Sequence, residues 1–280
     1  MNIRLLTDSD FDLEQADHVL VTAYRPPSWR REVEIYLGTQ PDGWFVVDDG
    51  GRIVAMAGAL AYGAFCWVGL VATLPGHERH GLATRLSAHL TEWAKDHGCR
   101  TLALDASEKG RPVYERLGYQ PVGHTLALIA PSSLPPPTEE ESAGLIDDID
   151  EVLALDRATF GGDRAALLRA ISEREAPRIH VVREGREPAG YLFARERFLG
   201  PGCAKDAAIA ERLVRAALSD PSYRTAEEIR LLAPMESEYT NVLASLGFRE
   251  SRRLTHMRLG DLELPGERRE LLAQASFAAG

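Results

Sequence analysis

One stretch of the chain has a pattern of apolar and polar positions that predicts a strand, a turn and a helix. Apolar residues recur there at spacings of four, four and three, which is the periodicity of one helical face. They are Leu82, Leu86, Leu90 and Trp93. The apolar run 65–73 predicts the strand, and Pro75 ends it because proline has no N–H to continue a ladder. Gly98 is a natural helix stop.

The rest of the first half predicts a β-meander and helices around this unit. Strands are predicted at 3–6, 44–47, 52–61, 101–107 and 120–130, and helices at 13–24, 30–37 and 111–119. The turn 48–51, Asp-Asp-Gly-Gly, is typical of a hairpin between antiparallel strands.

The composition changes abruptly at Pro131, where proline, serine and glutamate replace the apolar periodicity. This change predicts an exposed linker at 131–144, between a first domain, 1–130, and a second domain, 145–280. The second domain repeats the order of elements of the first. The apolar segment 271–277 is expected to pack as a strand or helix against the body of the protein, because an exposed terminus of that composition would be a liability.

The turn before the predicted helix has the composition of an anion site. Gly81 and Ala83 carry little or no side chain, so an anion could approach the free N–H groups at the helix start. The positive end of the helix dipole lies at the same place. Arg79, His80 and Arg85 could add positive charge. The pattern predicts a pyrophosphate cradle, although its glycines match neither a P-loop nor a dinucleotide fingerprint.

Overall composition limits the class of protein. The 280 residues include 32 basic and 42 acidic side chains, a net charge of −10, which argues against a nucleic-acid partner. The cysteines, Cys66, Cys99 and Cys203, are too few and scattered for a disulfide framework or a zinc site. No apolar run approaches a membrane span, so no membrane partner is expected and a cytoplasmic location is the default.

The strand, turn and helix resemble motif A of the GNAT superfamily of acyl-CoA-dependent N-acyltransferases. That motif has the pattern Gln/Arg-x-x-Gly-x-Gly/Ala after a strand that ends x-Pro, and Glu78, Gly81 and Ala83 stand at its positions. Glu78 departs from the pattern, because the family usually has Gln or Arg there. The departure puts a side-chain role for Glu78 in doubt and leaves the backbone cradle intact.

The segment 111–119 resembles motif B of the same superfamily, which often ends Tyr-Glu-x-Leu-Gly-Phe. Tyr114 occupies the tyrosine position, which in the family lies near the thioester sulfur. Ser107 stands where many members carry an asparagine that bonds the pantetheine arm. The resemblance implies an α/β (α+β) fold of two tandem GNAT-like domains, each a mixed, mostly antiparallel sheet flanked by helices.

The resemblance also implies acetyl-CoA as co-substrate, without a metal. The pantetheine arm would pair with the backbone of Val71, Ala72 and Thr73, on a strand that splays from its neighbour. The residues expected to hold the pyrophosphate are Arg79, His80, Gly81, Leu82, Ala83 and Thr84.

Direct acyl transfer requires an acid for the leaving thiolate and a base for the attacking amine. Tyr114 is the candidate acid, and a buried structural tyrosine is the alternative. The base is ambiguous: the candidates are Asp105, Glu34, His77, His124 or a chain of waters. Trp29, Glu34 and Tyr36 lie in the region that closes over the acceptor in GNAT proteins, and are therefore candidate acceptor contacts. Ordinary core packing is the alternative for Trp29 and Tyr36.

The second domain lacks the small-residue pattern, since Lys205-Asp206-Ala207-Ala208 stands at its helix start. We therefore predict that it does not bind CoA. An intact GNAT domain followed by a degenerate one resembles a bacterial family of tandem acetyltransferases, in the segments 160–164, 199–201 and 273–277. The leading hypothesis is acetyl transfer to an amine of a small molecule or peptide. A longer acyl group and a CoA-binding pseudoenzyme remain the alternatives, and the oligomeric state remains open.

Overall fold

The computed structural model describes residues 1–25, 27–130, 143–220, 223, 226, 228–234 and 236–280. They form two compact units, each assembled from more than one stretch of the chain. The first unit contains Met1–Val122, Met257–Leu262 and Ala279. The second unit contains Gly123–His256, Glu263–Ala278 and Gly280. Of the predicted linker, only residues 143 and 144 fall within the described part of the chain.

The N-terminal half of the chain follows the predicted order of elements. They are β1 (Asn2–Leu5), α1 (Asp10–Tyr24), α2 (Arg30–Thr39), β2 (Trp44–Asp48), β3 (Ile53–Ala61), β4 (Phe65–Thr73), α3 (Leu82–Asp96), β5 (Thr101–Ala106), α4 (Arg111–Arg116) and β6 (Gln120–Ala130).

The C-terminal half repeats that order and then adds a short strand. Its elements are β7 (Gly144–Ile146), α5 (Leu153–Phe160), α6 (Ala165–Glu175), β8 (Arg178–Glu184), β9 (Glu187–Arg195), β10 (Phe198–Ala204), α7 (Ala207–Leu218), β11 (Ile229–Ala233), α8 (Thr240–Ser245), β12 (Arg249–Gly260) and β13 (Leu271–Ala273). Strand β13 lies in the apolar segment that was expected to pack as a strand or helix, and its residues are buried.

The sheet of the first unit has the strand order β1-β2-β3-β4-β5-β12. The β1–β2, β2–β3 and β3–β4 pairs are antiparallel. The β4–β5 pair is parallel. The predicted mixed, mostly antiparallel sheet is therefore confirmed for this unit.

Helices cover both faces of this sheet. Successive side chains of a strand point to opposite faces, and on β2 the neighbours Trp44 and Phe45 meet different helices. The Phe45 ring lies 4.4 Å from the His89 ring of α3. The Trp44 ring stacks on Tyr36 of α2 with 5.4 Å between centroids. The core on the α3 side contains the predicted helical face: Leu82, Leu86, Leu90 and Trp93.

The second unit has the same kind of sheet, with the order β6-β11-β10-β9-β8-β7. The β10–β11 pair is parallel, and β6–β11, β9–β10, β8–β9 and β7–β8 are antiparallel. Helix α7 buries Ile209, Leu213 and Val214 in the core of this unit.

Each unit is completed by a strand from the other half of the chain. The strand beside β5 is β12, of which residues 257–260 belong to the first unit. The strand beside β11 is β6, which pairs from Ile229↔Ala130 to Ala233↔Leu126. The compact units therefore differ from the contiguous domains 1–130 and 145–280. Both sheets present equivalent strand edges, so local periodicity does not determine which of the two late strands joins which sheet. A chain that ended at Ala130 would lack the strand beside β5.

The junction of β12 with β5 generates a stability prediction. A Cβ at Gly260 would lie 2.0 Å from the Arg100 carbonyl oxygen, whereas at Gly63 no described atom lies within 4 Å. Both glycines have positive φ, +98° and +88°. Gly260→Ala should therefore lower stability by about 1–3 kcal/mol more than Gly63→Ala, the scale of overpacking. Chemical denaturation of both variants measures the difference, and equal losses would contradict the close β12 junction.

Candidate functional site

A β-bulge interrupts the pairing of β4 with β3. The register runs through Met56↔Ala72 and resumes at Gly58↔Gly69, so Leu70 and Val71 share one position opposite a single residue of β3. Leu70 has φ of 51°, in the left-handed region that non-glycine residues rarely adopt. Bulges bend a strand and re-aim its backbone groups, and they are frequent next to active sites.

Beyond this region β4 separates from its parallel neighbour. The β4–β5 register contains Phe65↔Thr101, Cys66↔Leu102 and Trp67↔Ala103. Strand β4 continues to Thr73 and β5 to Ala106, outside that ladder. The predicted splay is present, and it contains Val71, Ala72 and Thr73. The edge of β4 that turns toward β5 is therefore open there to another extended chain, except at the Val71 carbonyl, which accepts a bond from the Tyr24 hydroxyl.

The open part of β4 leads directly into the start of α3. Arg79 and Gly81 both have left-handed φ, 62° and 74°. The first intrahelical bond runs from the Arg85 N–H to the Gly81 carbonyl. Within the described ranges, the N–H groups of Leu82, Ala83 and Thr84 have no acceptor. Gly81 is exposed, and no described atom lies within 4 Å of the position of its missing Cβ. This is an open helix N-terminus suited to an anion.

The positive side chains predicted beside this helix start are in place. Arg79, His80 and Arg85 are all exposed. Glu78, the departure from the family pattern, forms an ion pair with Lys109 at 2.9 Å, and the Lys109 ammonium lowers the pKa of Glu78. Lys109 belongs to the loop after β5, so this pair brings that loop to the turn before α3. The pair also neutralises the one acid of the motif.

Ser107 and Tyr114 both lie beside Gly110, after the end of β5. The Ser107 hydroxyl accepts a bond from the Gly110 N–H at 3.2 Å, and its carbonyl accepts one from the Arg111 N–H at 2.8 Å. A Cβ on Gly110 would lie 3.3 Å from Ser107 Oγ and 3.5 Å from Tyr114 Cε2. Gly110 thus permits both side chains to lie close to the same turn.

Tyr114 is buried and protonated at neutral pH. Its ring packs edge-on against Tyr119 with 5.6 Å between centroids. Burial raises the pKa of Tyr114 far above its ordinary value, and nearby Tyr24 raises it further. No described residue forms a hydrogen bond with the Tyr114 hydroxyl. A protonated phenol in this state can donate a proton or a hydrogen bond and cannot act as a base.

The four candidate bases lie in different parts of the structure. Asp105 is half-buried near the end of β5. Its neighbours Leu104 and Ala106 belong to the core on the α3 side, so Asp105 lies on the opposite face. Glu34 accepts a bond from Arg30 at 2.9 Å. His77 is half-buried in the turn before α3, and His124 belongs to the second unit.

Tyr24, at the end of α1, is a site residue that the sequence did not predict, and it contacts Trp29 in the connection between α1 and α2. Trp29 donates its backbone N–H to Asp17 at 2.5 Å and its indole N–H to the Arg25 carbonyl at 3.3 Å. Its ring lies 5.5 Å from the Tyr24 ring. Tyr24 in turn donates its hydroxyl to the Val71 carbonyl at 2.7 Å. The sequence signals Tyr24 only as an aromatic residue at the end of a predicted helix.

The corresponding region of the second unit is filled by its own chain. The β10–β11 register contains only Phe198↔Arg230 and Leu199↔Leu231. Beyond it β13 pairs with β10 at Gly202↔Ala273 and Cys203↔Leu271. The Gln274 N–H continues this segment by bonding the Leu232 carbonyl at 2.9 Å.

The helix start of the second unit is also occupied. The Asp206 side chain accepts a bond from the Ile209 N–H at 2.8 Å and caps α7. A carboxylate therefore stands where α3 has a left-handed glycine and open N–H groups. The negative charge of Asp206 disfavours an anion at this helix start. This agrees in direction with the prediction from Lys205-Asp206 that the second domain does not bind CoA.

The described residues contain no apparent metal centre or membrane-spanning helix. None of their groups of His, Cys, Asp and Glu, three or more together, could hold a metal ion. Among the same residues, no helix combines the length and apolar character needed to cross a bilayer.

Family comparisons assign both halves of the chain to one class. Residues 11–119 match the family described as Acetyltransferase (GNAT) family. Residues 152–273 match a family described as Acetyltransferase (GNAT) domain. The chain therefore belongs to the GNAT family of acyltransferases and carries two such domains in tandem.

Individual relatives support the same assignment. Over 126 residues, 43% of each chain, the sequence is 30% identical to the uncharacterized N-acetyltransferase YitH of Bacillus subtilis (strain 168). The match thus spans less than half the length of that relative. A proposed acetyltransferase from Pyrococcus horikoshii has a TM-score of 0.84 at 22% identity, over 100% of this chain and 95% of that one. A tandem GNAT protein from the clavulanic acid biosynthesis pathway has a TM-score of 0.64 at 16% identity, over 92% and 98%. At these identities, the two structures show a shared fold.

Proposed function

We propose that this protein transfers the acetyl group of acetyl-CoA to an amine of a small molecule or peptide, at a site in the first unit. One observation carries the proposal. Strand β4 leaves β5 after Trp67 and runs directly to the open N-terminus of α3. An extended ligand with a phosphate end fits that combination, because one part of it can pair with a strand edge and the other with helix N–H groups.

The residues present are suited to holding acetyl-CoA. The backbone of Val71, Ala72 and Thr73 would pair with the pantetheine arm, and the Ser107 hydroxyl could bond it from the other side of the opening. The pyrophosphate would lie at the helix start, on the N–H groups and side chains of Arg79, His80, Gly81, Leu82, Ala83 and Thr84. When bound, acetyl-CoA supplies an activated acetyl group.

Catalysis would consist of positioning and two proton movements. The amine nitrogen forms a bond to the acetyl carbon as the carbon–sulfur bond breaks. Backbone N–H groups at the β4 bulge could stabilise charge that develops on the thioester oxygen. The Tyr114 hydroxyl would hydrogen-bond the leaving thiolate and pass it a proton; burial makes the phenol a weaker acid, and the same dry surroundings would make an unprotonated thiolate costly.

The amine side of the site is supported by fewer observations. Asp105 is half-buried and lies on the sheet face opposite α3, so it is our candidate to accept the ammonium proton, directly or through water. Trp29 and Glu34 are the candidate acceptor contacts. Glu34 is already engaged in an ion pair with Arg30, which favours Asp105 over Glu34 as the candidate base.

Release of free thiol from acetyl-CoA across a panel of amines tests the proposed activity. Amine-dependent release would support acetyl transfer. Release with longer acyl-CoA donors alone would favour the alternative acyl group. Tight CoA binding without turnover on any amine would favour a CoA-binding protein without transferase activity.

The cradle generates a binding prediction with a matched control. Gly81 and Gly98 flank α3 at opposite ends, with φ of +74° and +73° and no described atom within 4 Å of either Cβ position. Gly81→Val should weaken CoA binding by at least about 10-fold, because its side chain would cover the helix N–H groups. Gly98→Val imposes the same backbone strain and should leave the affinity unchanged. Calorimetry with CoA measures both, and equal affinities would exclude the cradle.

Tyr114 generates a kinetic prediction. Tyr114→Phe removes only the hydroxyl, and should lower kcat by about 10²-fold with little change in KM for acetyl-CoA, the usual scale for a general acid. Tyr119→Phe, in the adjacent ring, is the control and should keep its rate. Steady-state assays with an amine identified from the panel provide the measurement. A full-rate Tyr114→Phe variant would assign Tyr114 to packing.

The two units should differ in CoA binding. Because Asp206 caps α7 and β13 fills the opening beside β10, we expect one CoA per chain, bound to the first unit. Calorimetric titration of the full chain gives the stoichiometry. Gly81→Val should weaken that single binding event. Two CoA per chain, or a residual event of unchanged affinity in Gly81→Val, would contradict a non-binding second unit.

A further inference from the structure

Tyr24 makes a long-range bond from the end of α1 to the bulged strand. It is the last residue of α1, and its hydroxyl donates to the Val71 carbonyl at 2.7 Å across 47 residues of sequence. The side chain is 40% exposed, so burial alone does not hold the ring in this position. The bond to Val71 fixes where the hydroxyl lies.

The acceptor of this bond lies at the point where β4 departs from regular pairing. Val71 shares the bulge with Leu70 and stands beyond the last β4–β5 pair, Trp67↔Ala103. A bulged residue is left out of the ladder, so its peptide groups are held less firmly than those of a paired strand. Because the peptide group is planar, a hydrogen bond to the Val71 carbonyl holds the whole Val71–Ala72 peptide plane at the edge of the bulge.

Tyr24 is close to two other parts of the candidate site. Its ring lies 5.5 Å from the Trp29 ring, in the connection assigned to the acceptor side. Its hydroxyl is near enough to Tyr114 to raise the pKa of that residue. The bulged strand and the acceptor-side loop therefore both contact this one side chain, and the candidate acid lies within its electrostatic reach.

We propose that Tyr24 is a positioning residue for acyl transfer, whose hydroxyl fixes the Val71 carbonyl and so sets the β4 bulge that receives the thioester end of the donor. The proposal rests on the proposed function, because it assumes that acetyl-CoA lies along β4. Tyr24 acts at the acyl end of that ligand, whereas Gly81 acts at the phosphate end. Loss of the hydroxyl should therefore affect recognition of the acetyl thioester and spare recognition of the rest of CoA.

Comparing acetyl-CoA with CoA isolates this effect. Tyr24→Phe keeps the ring and removes the bond to Val71. We expect its affinity for acetyl-CoA to fall by about 5-fold, the scale of one net hydrogen bond, with its affinity for CoA unchanged. Calorimetry with each ligand on the full chain gives both values, and thermal unfolding verifies that the variant is folded.

Tyr62→Phe is the matched control. The Tyr62 hydroxyl also donates to a backbone carbonyl of the first unit, that of Ala279, at 2.8 Å. Its removal should leave the ratio of acetyl-CoA affinity to CoA affinity at the wild-type value. The same ratio shift in both variants would overturn the proposal, since it would reflect a general loosening of the unit.

Other outcomes separate this proposal from the proposed function. An equal fall in affinity for both ligands in Tyr24→Phe, or no fall in either, would make Tyr24 an anchor for α1 without a role at the acyl end. An altered KM for the amine with an unchanged ligand ratio would make it an acceptor contact and would likewise overturn the proposal. Failure of the wild-type chain to bind CoA would refute the proposed function directly.

Discussion

Backbone polar groups need partners, and the separation of two parallel strands creates a place where partners must be supplied. In the first unit, β4 and β5 separate after Trp67↔Ala103 and leave an open edge. In the second unit, β10 and β11 separate after Leu199↔Leu231, and β13 enters the space. One chain thus contains two solutions to the same constraint. The unit that satisfies its own strand edge loses the opening through which a ligand could do so.

The starts of α7 and α3 differ in the same way as the two strand edges: the second unit supplies its own hydrogen-bond partner and the first unit does not. Helix α7 satisfies an N-terminal N–H with its own Asp206 carboxylate. Helix α3 begins at a left-handed glycine, and its first N–H groups are left without an acceptor among the described residues. A cap stabilises a helix by about 1 kcal/mol, so the uncapped start of α3 gives up local stability. An anionic ligand that binds at this helix start would provide the missing acceptors and restore that stability.

Local pattern predicted the elements well, and it predicted tertiary pairing poorly. The spacing of Leu82, Leu86 and Leu90 located α3, and the motif around Gly81 located its left-handed, uncapped start, because both depend on residues close in sequence. The bond from Tyr24 to Val71 and the ion pair of Glu78 with Lys109 join distant parts of the chain, so neither leaves a periodic signal. The exchange of β6 and β12 was missed for the same reason, since both strands suit either sheet edge.

The exchange of strands also affects how the chain folds as it is synthesised. Strand β5 ends at Ala106, but the strand beside it is not complete until Gly260 has been made. At about 5–20 residues per second, the ribosome needs several seconds or more to cover that interval. During this time the edge of β5 has no native partner, and an unpaired edge is a template for aggregation. The nascent chain is therefore most prone to misassembly before its last strands emerge.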